Sequence, residues 1–281
     1  MINVLITGAG SYVGGKIAGY LPRAHYSVRE LDVRSGVDAS ALSGQDVVIH
    51  VAGIAHQKET PQNAKLYTKV NRDLAVETAK IAKENGVKQF IFFSSMSVYG
   101  MTTGHIDAET RPAPVTHYGQ SKWEAEQALN MLSDDRFRVA ILRPPMIYGP
   151  GCRGNYPRLA SLARKLPCFP QVKNQRSMLY IGTLCAFVDN LIQSGRGGLF
   201  FPQNREYVNT TDLVVSVARC HRKKLLVVRG FGWLLRLLEK RVGVVGKVFG
   251  SLTYDMAMSK DFAQAGQLDF LDTIRHTEEE R

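Results

Sequence analysis

The sequence contains few cysteines, and their spacing fits neither a disulfide framework nor a metal site. The four thiols, Cys152, Cys168, Cys185 and Cys220, are far apart along the chain. The seven histidines do not fall near them at the intervals that metal ligands require. We therefore interpret the cysteines as buried or incidental thiols and expect no metal.

The sequence also lacks a long apolar run, and we expect it to have no export leader. Arg, Lys or Glu interrupts every apolar stretch before it reaches the roughly 18 to 20 residues that a bilayer requires. A strand-like pattern already starts in "MINVLITG", which leaves no room for the basic and apolar regions of a signal peptide. We expect a cytoplasmic protein with no transmembrane segment.

The chain is long enough to bury a large core, since 44% of its 281 residues are apolar. Strand patterns cover 2–6, 47–51, 89–93 and 139–142, and a further one, "YSVRELD", ends at Asp32. Helical spacing of apolar residues occurs in "NAKLYTKVNRDLAVETAKIAKENG" and "THYGQSKWEAEQALNML". This alternation predicts an α/β fold, a Rossmann-type doubly wound parallel sheet with helices on both faces.

The regular alternation weakens after "LRPPMIYGPG", where Pro, Gly and Arg become frequent. We therefore predict a dinucleotide-binding domain over 1–145, to which about 182–200 return. A smaller, less regular region is predicted over 146–181 and 201–281, and we expect it to bind the substrate.

The first strand runs directly into a glycine-rich turn and a helix in "ITGAGSYVG". In that context, free backbone N–H groups and the helix dipole can face a pyrophosphate, although plain turns also use glycine. Asp32 follows Gly8 by 24 residues and ends the next strand, where an acid can accept hydrogen bonds from ribose hydroxyls. Together these features favour dinucleotide binding. Asp32 favours NAD, whereas Arg34 softens that preference and keeps NADP as the alternative.

A second set of polar residues is expected where the fourth strand ends. Tyr118 and Lys122 are four residues apart at the start of a predicted helix, and "FIFFSS" delivers Ser94 and Ser95 to the same crevice. A nearby ammonium and a positive nicotinamide ring would lower the pKa of a phenol, so that Tyr118 could exchange a proton with a sugar oxygen. The spacing alone decides nothing, since Tyr12 and Lys16 have it too. The competing interpretation is a serine-rich strand end beside a helix cap.

The whole chain resembles the extended short-chain dehydrogenase/reductase superfamily, in the NAD-dependent epimerase/dehydratase family that acts on nucleotide sugars. The resemblance rests on "ITGAGSYVG", "DVVIHVAG", "NRDLAVETAKIAKENGVKQFIFFSSMSVYG", "YGQSK", "LRPPMIYGPG" and "QRSMLYIGTL", in the family's order and spacing. It implies that Ser95, four residues before Tyr99, is the catalytic hydroxyl residue beside Tyr118 and Lys122.

The resemblance also implies a set of binding residues. Those expected to contact NAD or NADP are Gly8, Gly10, Ser11, Tyr12, Val13, Gly14, Asp32, Arg34, Asp38, Val51, Ala52, Gly53, Asn71, Ser94, Tyr118, Lys122 and Pro145. Those expected to contact a UDP-sugar are Ser95, Met96, Asn155 and Arg176, of which the last two would hold the diphosphate. Competing structural roles are a packed core histidine for His50, a turn residue for Asn155, and helix packing for Asn71.

Two departures from the family pattern bear on the reaction. Ser11 stands where the middle glycine of the turn is usual, which puts the close approach of a phosphate at that point in question, although Gly10 lies beside it. Met96 and Ser97 stand where dehydratases of the family carry an Asp-Glu pair. Dehydration is therefore disfavoured, and redox chemistry at carbon 4 of the sugar is left.

Three functions remain open. The segment from "LRPPMIYGPG" to "QRSMLYI" is similar to bacterial enzymes of surface polysaccharide synthesis that reduce 4-keto sugars on UDP, and this favours a 4-keto-sugar reductase. A UDP-hexose 4-epimerase acting on UDP-glucose or UDP-N-acetylglucosamine is the alternative, and Asp32 suits its NAD. A non-catalytic dinucleotide-binding regulator would not need Ser95, Tyr118 and Lys122. A homodimer would be in keeping with the family.

The positive charge is concentrated in one segment. Residues 221–250 carry a net charge of +7 within a total of +11. The cations are Arg222, Lys223, Lys224, Arg229, Arg236, Lys240, Arg241 and Lys247. We expect the apolar residues of 222–249 to pack while the cations are solvated or face UDP; peripheral membrane contact is the alternative, and no nucleic-acid motif is present.

The Tyr118→Phe variant distinguishes an enzyme from a regulator. Removing the phenol oxygen leaves the ring in place, so we expect turnover to be lost while the dissociation constant of the dinucleotide stays within about twofold, measured by cofactor fluorescence titration. A purified wild-type chain with no turnover to lose would support the regulator instead.

Overall fold

The computed structural model describes residues 1–55, 57, 59–230, 249–262 and 268–279. The chain divides into two compact units. Unit 1 comprises Met1–Gly100, Arg111–Pro144 and Leu184–Pro202, and unit 2 comprises Met101–Thr110, Pro145–Thr183 and Gln203–Arg281.

The regular elements alternate along most of the chain. The strands are β1 (Ile2–Thr7), β2 (Tyr26–Leu31), β3 (Val47–His50), β4 (Gln89–Phe93), β5 (Gly104–Ile106), β6 (Arg138–Leu142), β7 (Met146–Tyr148), β8 (Cys168–Pro170), β9 (Met178–Tyr180), β10 (Gly198–Phe200), β11 (Leu226–Val228) and β12 (Leu252–Tyr254). The helices are α1 (Tyr12–Tyr20), α2 (Ala64–Tyr67), α3 (Leu74–Glu84), α4 (His117–Asn130), α5 (Asn155–Lys165), α6 (Ile181–Ser194), α7 (Thr210–Cys220) and α8 (Phe270–Glu279).

Unit 1 is built on a six-stranded sheet in the order β10-β6-β4-β3-β1-β2, in which every pair is parallel. The chain runs outward from β1 to β2 and then crosses to β3 on the other side of β1. The carboxyl ends of β1 and β3, at Thr7 and His50, therefore meet where the strand order reverses, which is the place where such sheets bind ligands.

The sheet packs against helices on both faces, which confirms the doubly wound prediction. One face buries alternate residues of the strands, such as Leu5, Phe90 and Phe92, in a core shared with α3 and α4. Small side chains of α3, Ala75, Ala79 and Ala82, let that helix approach closely. On the other face, a Cβ added at Gly14 of α1 would lie 3.2 Å from the Ile6 side chain.

The helical pattern over residues 63–86 forms a continuous helical segment with an irregular centre. Helix α2 passes into a π-helical segment, Thr68–Asp73, which continues as α3. Such wide turns are rare and often accompany functional sites. Asn71 lies within this one and is fully buried.

Unit 2 contains three small parallel sheets, β5 with β12, β7 with β9 and β8 with β11. Its helix α7 packs against α5 and α8. The rings of Tyr148 and Tyr156 stack with centroids 5.4 Å apart, and the Tyr148 hydroxyl lies 2.7 Å from that of Thr273 on α8.

A buried carboxylate fixes the end of α8. Glu278 accepts hydrogen bonds from Tyr156 at 3.0 Å and Arg164 at 3.2 Å, and its Oε2 lies 2.7 Å from His221 Nε2. Its side chain is 1% exposed. Because a buried carboxylate is costly unless it is paired, these contacts hold α8 against α5 and α7.

We expect Glu278→Leu to lower the free energy of unfolding by about 2 kcal/mol, because Tyr156, Arg164 and His221 lose their shared acceptor. The neighbouring exposed residue provides a matched control: Glu279→Leu should change it by less than about 0.5 kcal/mol. Urea unfolding measures both, and equal effects of the two variants would contradict this account of Glu278.

Candidate active site

The glycine-rich turn lies against the loop that follows β3. A Cβ added at Gly8, whose φ is +91°, would be 2.9 Å from the Ala52 backbone nitrogen, and one at Gly14 would be 3.1 Å from the Val51 side chain. Only glycine fits these two positions without a shift of the neighbouring atoms. The turn is therefore shaped by close backbone approach, as a phosphate-binding turn requires.

Ser11 is the cap of helix α1. Its hydroxyl accepts a hydrogen bond from Gly14 N at 3.2 Å, and Tyr12 begins the helix. Gly10 has open space around its Cα, since a Cβ added there would meet no atom within 4 Å. The departure at Ser11 thus leaves the neighbouring Gly10 accessible. Val13 follows in the first turn of the helix.

A carboxylate already lies at this turn. Glu30 of β2 accepts a hydrogen bond from Gly10 N at 3.4 Å. Glu30 was not selected from the sequence, because the acid expected to bind a ribose is the one that ends the strand, Asp32. Its position indicates that the Gly10 N–H can donate to an anionic oxygen.

Asp32 and Arg34 form an exposed ion pair at the end of β2. Arg34 Nε lies 3.0 and 2.9 Å from the two carboxylate oxygens, and Arg34 N donates to Oδ1 at 3.0 Å. These hydrogen bonds lower the pKa of Asp32 to about 2. Asp38 caps the short turn Ala39–Leu42 by accepting from Ser40 N at 3.0 Å, so its carboxylate has a local structural role.

Ser95, Tyr118 and Lys122 all lie in unit 1, and the structure places Ser95 beside Tyr118. Ser95 follows β4 and caps the turn Met96–Tyr99, while its hydroxyl hydrogen-bonds that of Tyr118. Met96 is buried, and its backbone N–H donates to Pro144 O at 3.0 Å. Tyr118 and Lys122 lie one turn apart on α4. This serine, phenol and amine set can bind an oxygen and exchange its proton.

The pKa of Tyr118 differs in direction from the sequence expectation. Burial raises it, and the hydrogen bond from Ser95 lowers it by a smaller amount. Among the protein's own groups, the neutral phenol is therefore favoured, and the lowering expected from an ammonium together with a nicotinamide ring stays a prediction.

Lys122 is a buried cation. It is 4% exposed, its ammonium lies 4.6 Å from the centre of the Phe92 ring, and burial lowers its pKa to about 7 while Glu126 opposes that shift. His50 is a packed core histidine that bonds Thr7 at 2.9 Å and stacks on Phe90. Burial and Lys122 lower the pKa of His50 to about 3, which keeps the imidazole neutral.

Asn71 joins the wide helical turn to this centre. Its amide accepts from Ile54 N at 2.8 Å and donates to Ile54 O and Ser121 Oγ at 3.1 Å each. The amide oxygen and nitrogen of Asn71 are therefore both bound to protein groups, as a helix-packing role predicts. A Cβ added at Gly53 would lie 2.9 Å from Asn71 Oδ1 and 3.4 Å from Lys122 Nζ, so the absence of a side chain at Gly53 lets both groups approach the backbone there.

An ion pair that sequence patterns did not reveal lies beneath the three reactive groups. Glu126, one turn beyond Lys122, is held by Arg143 at 2.6 to 3.1 Å and also accepts a hydrogen bond from Ser94. Arg143 donates to the Tyr99 hydroxyl at 2.8 Å. Both charged side chains are at most 5% exposed. The available signal was the four-residue spacing of Tyr118, Lys122 and Glu126.

A second carboxylate that the sequence did not single out lies at the start of α4. Glu59 accepts hydrogen bonds from the backbone N–H groups of His117 and Tyr118 at 2.8 and 3.1 Å. It satisfies donors that a helix start leaves unpaired, and so fixes Tyr118 from the loop that follows β3.

The predicted substrate residues Asn155 and Arg176 belong to unit 2. Asn155 is the exposed first residue of α5, after Gly154. Arg176 is partly buried and donates to Gly250 O at 2.8 Å, and burial lowers its pKa. Within the described residues no carboxylate pairs with Arg176, so its charge is open to an anion. Pro145 is buried between β6 and β7.

The described residues contain no group of three His, Cys, Asp or Glu that could hold a metal. The four cysteines are free, and two of them, Cys152 and Cys185, are buried. No helix in the described ranges is long and apolar enough to cross a membrane. Of the basic segment 222–249, residues 231–248 lie outside the described residues.

A model of the NAD dependent epimerase/dehydratase family matches residues 4–199. A UDP-glucose 4-epimerase of Vibrio cholerae is 29% identical over 92% of this chain and 89% of its own length. The N-acetyl-alpha-D-glucosaminyl-diphospho-ditrans,octacis-undecaprenol 4-epimerase of Escherichia coli O157:H7 is also 29% identical, over 79% of this chain and 73% of that protein.

Solved structures share the fold at lower identity. A UDP-glucuronic acid 4-epimerase from Bacillus cereus, in complex with NAD, superposes with a TM-score of 0.77 at 18% identity and covers 99% of this chain and 96% of its own. RMD from Pseudomonas aeruginosa, complexed with NADPH, gives 0.74 at 19% identity and covers 99% of both chains.

We expect Lys122→Met to stabilise the protein below neutral pH while abolishing turnover. Folding lowers the pKa of Lys122 from 10.5 to about 7, so the unfolded chain binds more protons between these values. The buried charge opposes folding fully below pH 7, and this cost declines as the pH rises toward 10.5.

Urea unfolding at pH 6 and pH 9 measures the effect. The gain in unfolding free energy from Lys122→Met should be larger at pH 6, and the exposed Lys80→Met should show no such pH dependence. A gain that increases with pH would contradict the assignment of a buried, charge-poor environment to Lys122.

Proposed function

The chain belongs to the NAD dependent epimerase/dehydratase family, and we propose that it is an NAD-dependent 4-epimerase of hexoses carried on UDP. The observation that carries the proposal is the likeness to a UDP-glucose 4-epimerase along 92% of the chain. The arrangement of Ser95, Tyr118 and Lys122 supports the same chemistry, because a secondary alcohol can be oxidised and reduced again at one such site.

The residues of the turn fit a dinucleotide. Gly10 has open space around its Cα for a phosphate oxygen, its N–H donates to a carboxylate oxygen, and Asp32 offers acceptors to a ribose. Bound NAD would supply a hydride acceptor and the positive charge of its nicotinamide ring. Asp32 is bound by Arg34, so a 2'-phosphate would have to compete with that carboxylate for the guanidinium.

In this proposal the protein handles the proton at O4 of the sugar. Ser95 donates a hydrogen bond to O4 and holds it beside the Tyr118 hydroxyl. Tyr118 takes the O4 proton as the C4–H bond breaks and returns it when C4 is reduced on the opposite face. Burial raises the pKa of Tyr118 in the protein alone, and the positive nicotinamide ring of bound NAD, together with the Lys122 amine, would supply the charge that favours the phenolate.

Arg176 is the group that we assign to the diphosphate of the substrate. Its guanidinium is partly buried and forms no ion pair within the described residues, and a phosphate oxygen would complete its hydrogen bonds. Asn155 stands at the N-terminus of α5, where an anion is favoured by the helix dipole. Both assignments stay predictions.

A 4-keto-sugar reductase is the second candidate, because reduction at C4 uses the same three residues. The sequence pattern favours it, whereas the curated relatives with the widest coverage are epimerases by name. A third possibility concerns the carrier. One relative is named for a sugar on undecaprenyl diphosphate, and such a substrate keeps the diphosphate that Arg176 would recognise.

The test is to incubate the purified protein with UDP-glucose, UDP-N-acetylglucosamine or N-acetylglucosaminyl diphosphoundecaprenol, each with NAD. Resolving the C4 epimers should reveal interconversion without net consumption of NAD. A UDP-4-keto-6-deoxyhexose with NADH or NADPH forms the comparison arm. Stoichiometric oxidation there, with no epimerisation elsewhere, would establish the reductase and overturn the proposal.

A further inference from the structure

Unit 2 carries exposed cations and exposed leucines on two neighbouring segments. We call Lys165, Leu166, Arg222, Lys224 and Leu226 the basic surface. All five residues are exposed. The β8–β11 pairing joins the two segments that contribute them, since Leu226 pairs with Cys168, and Lys223 Nζ donates to Arg164 O at 2.7 Å.

The charge of this surface is not neutralised by nearby acids. In the sequence, no Asp or Glu occurs between Asp135 and Asp189, or between Asp212 and Glu239. Lys165, Arg222 and Lys224 form no ion pair within the described part of the chain. The basic surface is therefore complementary to an anionic partner.

Two acids lie at the end of α8, close to this region. Glu278 is buried by Tyr156, Arg164 and His221, so its charge does not reach the solvent. Glu279 is exposed and influences Cys220. Among the described residues, Glu279 is therefore the one exposed carboxylate at this end of α8, beside the three cations of the basic surface; Glu280 lies outside the described residues.

The leucines give the basic surface an apolar centre. Leu226 is 68% exposed and Leu166 37%, whereas Phe169, the central residue of β8, is 2% exposed. Since neighbouring residues of a strand point to opposite faces, Phe169 fills the core while Leu226 and Cys168 point outward. Cations flanking exposed leucines fit the boundary between lipid headgroups and acyl chains.

Arg222 occupies a backbone conformation that glycine would adopt more cheaply. Its φ is +53°, and every other residue with a positive φ in the described part of the chain is glycine. Arg222 follows the cap of α7, where a left-handed residue ends the helix. An arginine there costs stability and keeps an exposed cation, a pattern that points to a role outside folding.

We propose that the basic surface docks unit 2 on an anionic lipid bilayer. Exposed leucines among the cations favour a bilayer over a nucleic acid, which would be bound by charge and by stacking aromatic rings. The sequence of residues 231–248 continues the mixture of leucines and cations directly after this region. This inference extends the proposed function, because docking would bring the enzyme to a membrane-borne sugar diphosphate.

Cosedimentation of the full chain with vesicles tests the proposal. We expect binding to phosphatidylcholine vesicles that contain a quarter phosphatidylglycerol, weak binding to phosphatidylcholine alone, and loss of binding at about 0.5 M salt, where charges are screened. Equal binding to both vesicle types would overturn the proposal. So would a preference for duplex DNA over the anionic vesicles.

Variants locate the docking surface. Lys224→Glu combined with Leu226→Glu should weaken vesicle binding about tenfold or more, since each cation near the membrane contributes. The matched control, Lys80→Glu with Met131→Glu, places the same changes on exposed positions of unit 1 and should have little effect. Equal losses, or none in the first variant, would overturn the assignment to the basic surface.

Arg222→Gly separates binding from folding. Glycine relieves the left-handed backbone, so the thermal midpoint should stay or rise while vesicle binding falls several-fold. Unchanged vesicle binding would contradict a role of Arg222 in docking. Epimerisation of a UDP-sugar in solution should be unaffected by all of these variants, so failure of the docking proposal and failure of the proposed reaction give different results.

Discussion

The buried ion pair between Glu126 and Arg143 connects the elements that carry the candidate catalytic residues. Glu126 is on α4, two turns after Tyr118, and Arg143 directly follows β6. Glu126 also binds Ser94, the neighbour of Ser95, so a single carboxylate connects α4 with the ends of β4 and β6. Such a pair is hard to disturb, because removing one partner leaves the other charge buried and costs about 3 to 5 kcal/mol. The hydroxyl of Ser95 and the phenol of Tyr118 are therefore held together by packing beneath them as well as by their own hydrogen bond.

Desolvated positive charge is common to the candidate site residues of both units. In unit 1, Lys122 is surrounded by Phe92 and the neutral His50, and its nearest opposing charge, Glu126, is already bound by Arg143. In unit 2, Arg176 has a backbone carbonyl as its partner and no carboxylate among the described residues. Desolvated cations that lack an acidic partner destabilise the folded protein, and they are available to bind an anionic ligand. The anionic phosphates of a diphosphate or a dinucleotide are complementary in charge to both side chains.

The local sequence pattern was sufficient to predict those features that depend on residues close together in the sequence. Strand periodicity located the sheet, and the strand ends located Ser95 and Tyr118 at one edge of it. Contacts between distant residues were not predictable in the same way: Glu126 meets Arg143 only after α4 and β6 have packed, and Glu59 reaches α4 from a loop far earlier in the chain. The burial that raises the pKa of Tyr118 in the protein alone was not predictable either, because the sequence gives the nearby charges but not the burial. The pairing of β5 with β12, which places Met101–Thr110 in unit 2, had no local signal either.

The wide helical turn at Asn71 has a consequence for how such chains can be compared. A π turn closes its hydrogen bond over five residues where an α turn uses four, so it accommodates one additional residue without changing the helix axis. Removing that residue would restore a regular α turn and leave the flanking helix in register, so that only the residues of the wide turn, Asn71 among them, would lose their positions relative to Ile54 and Ser121. A relative with a regular helix here should therefore differ by a single-residue gap, and the gap would mark a gain or loss of this junction rather than a tolerated change in loop length.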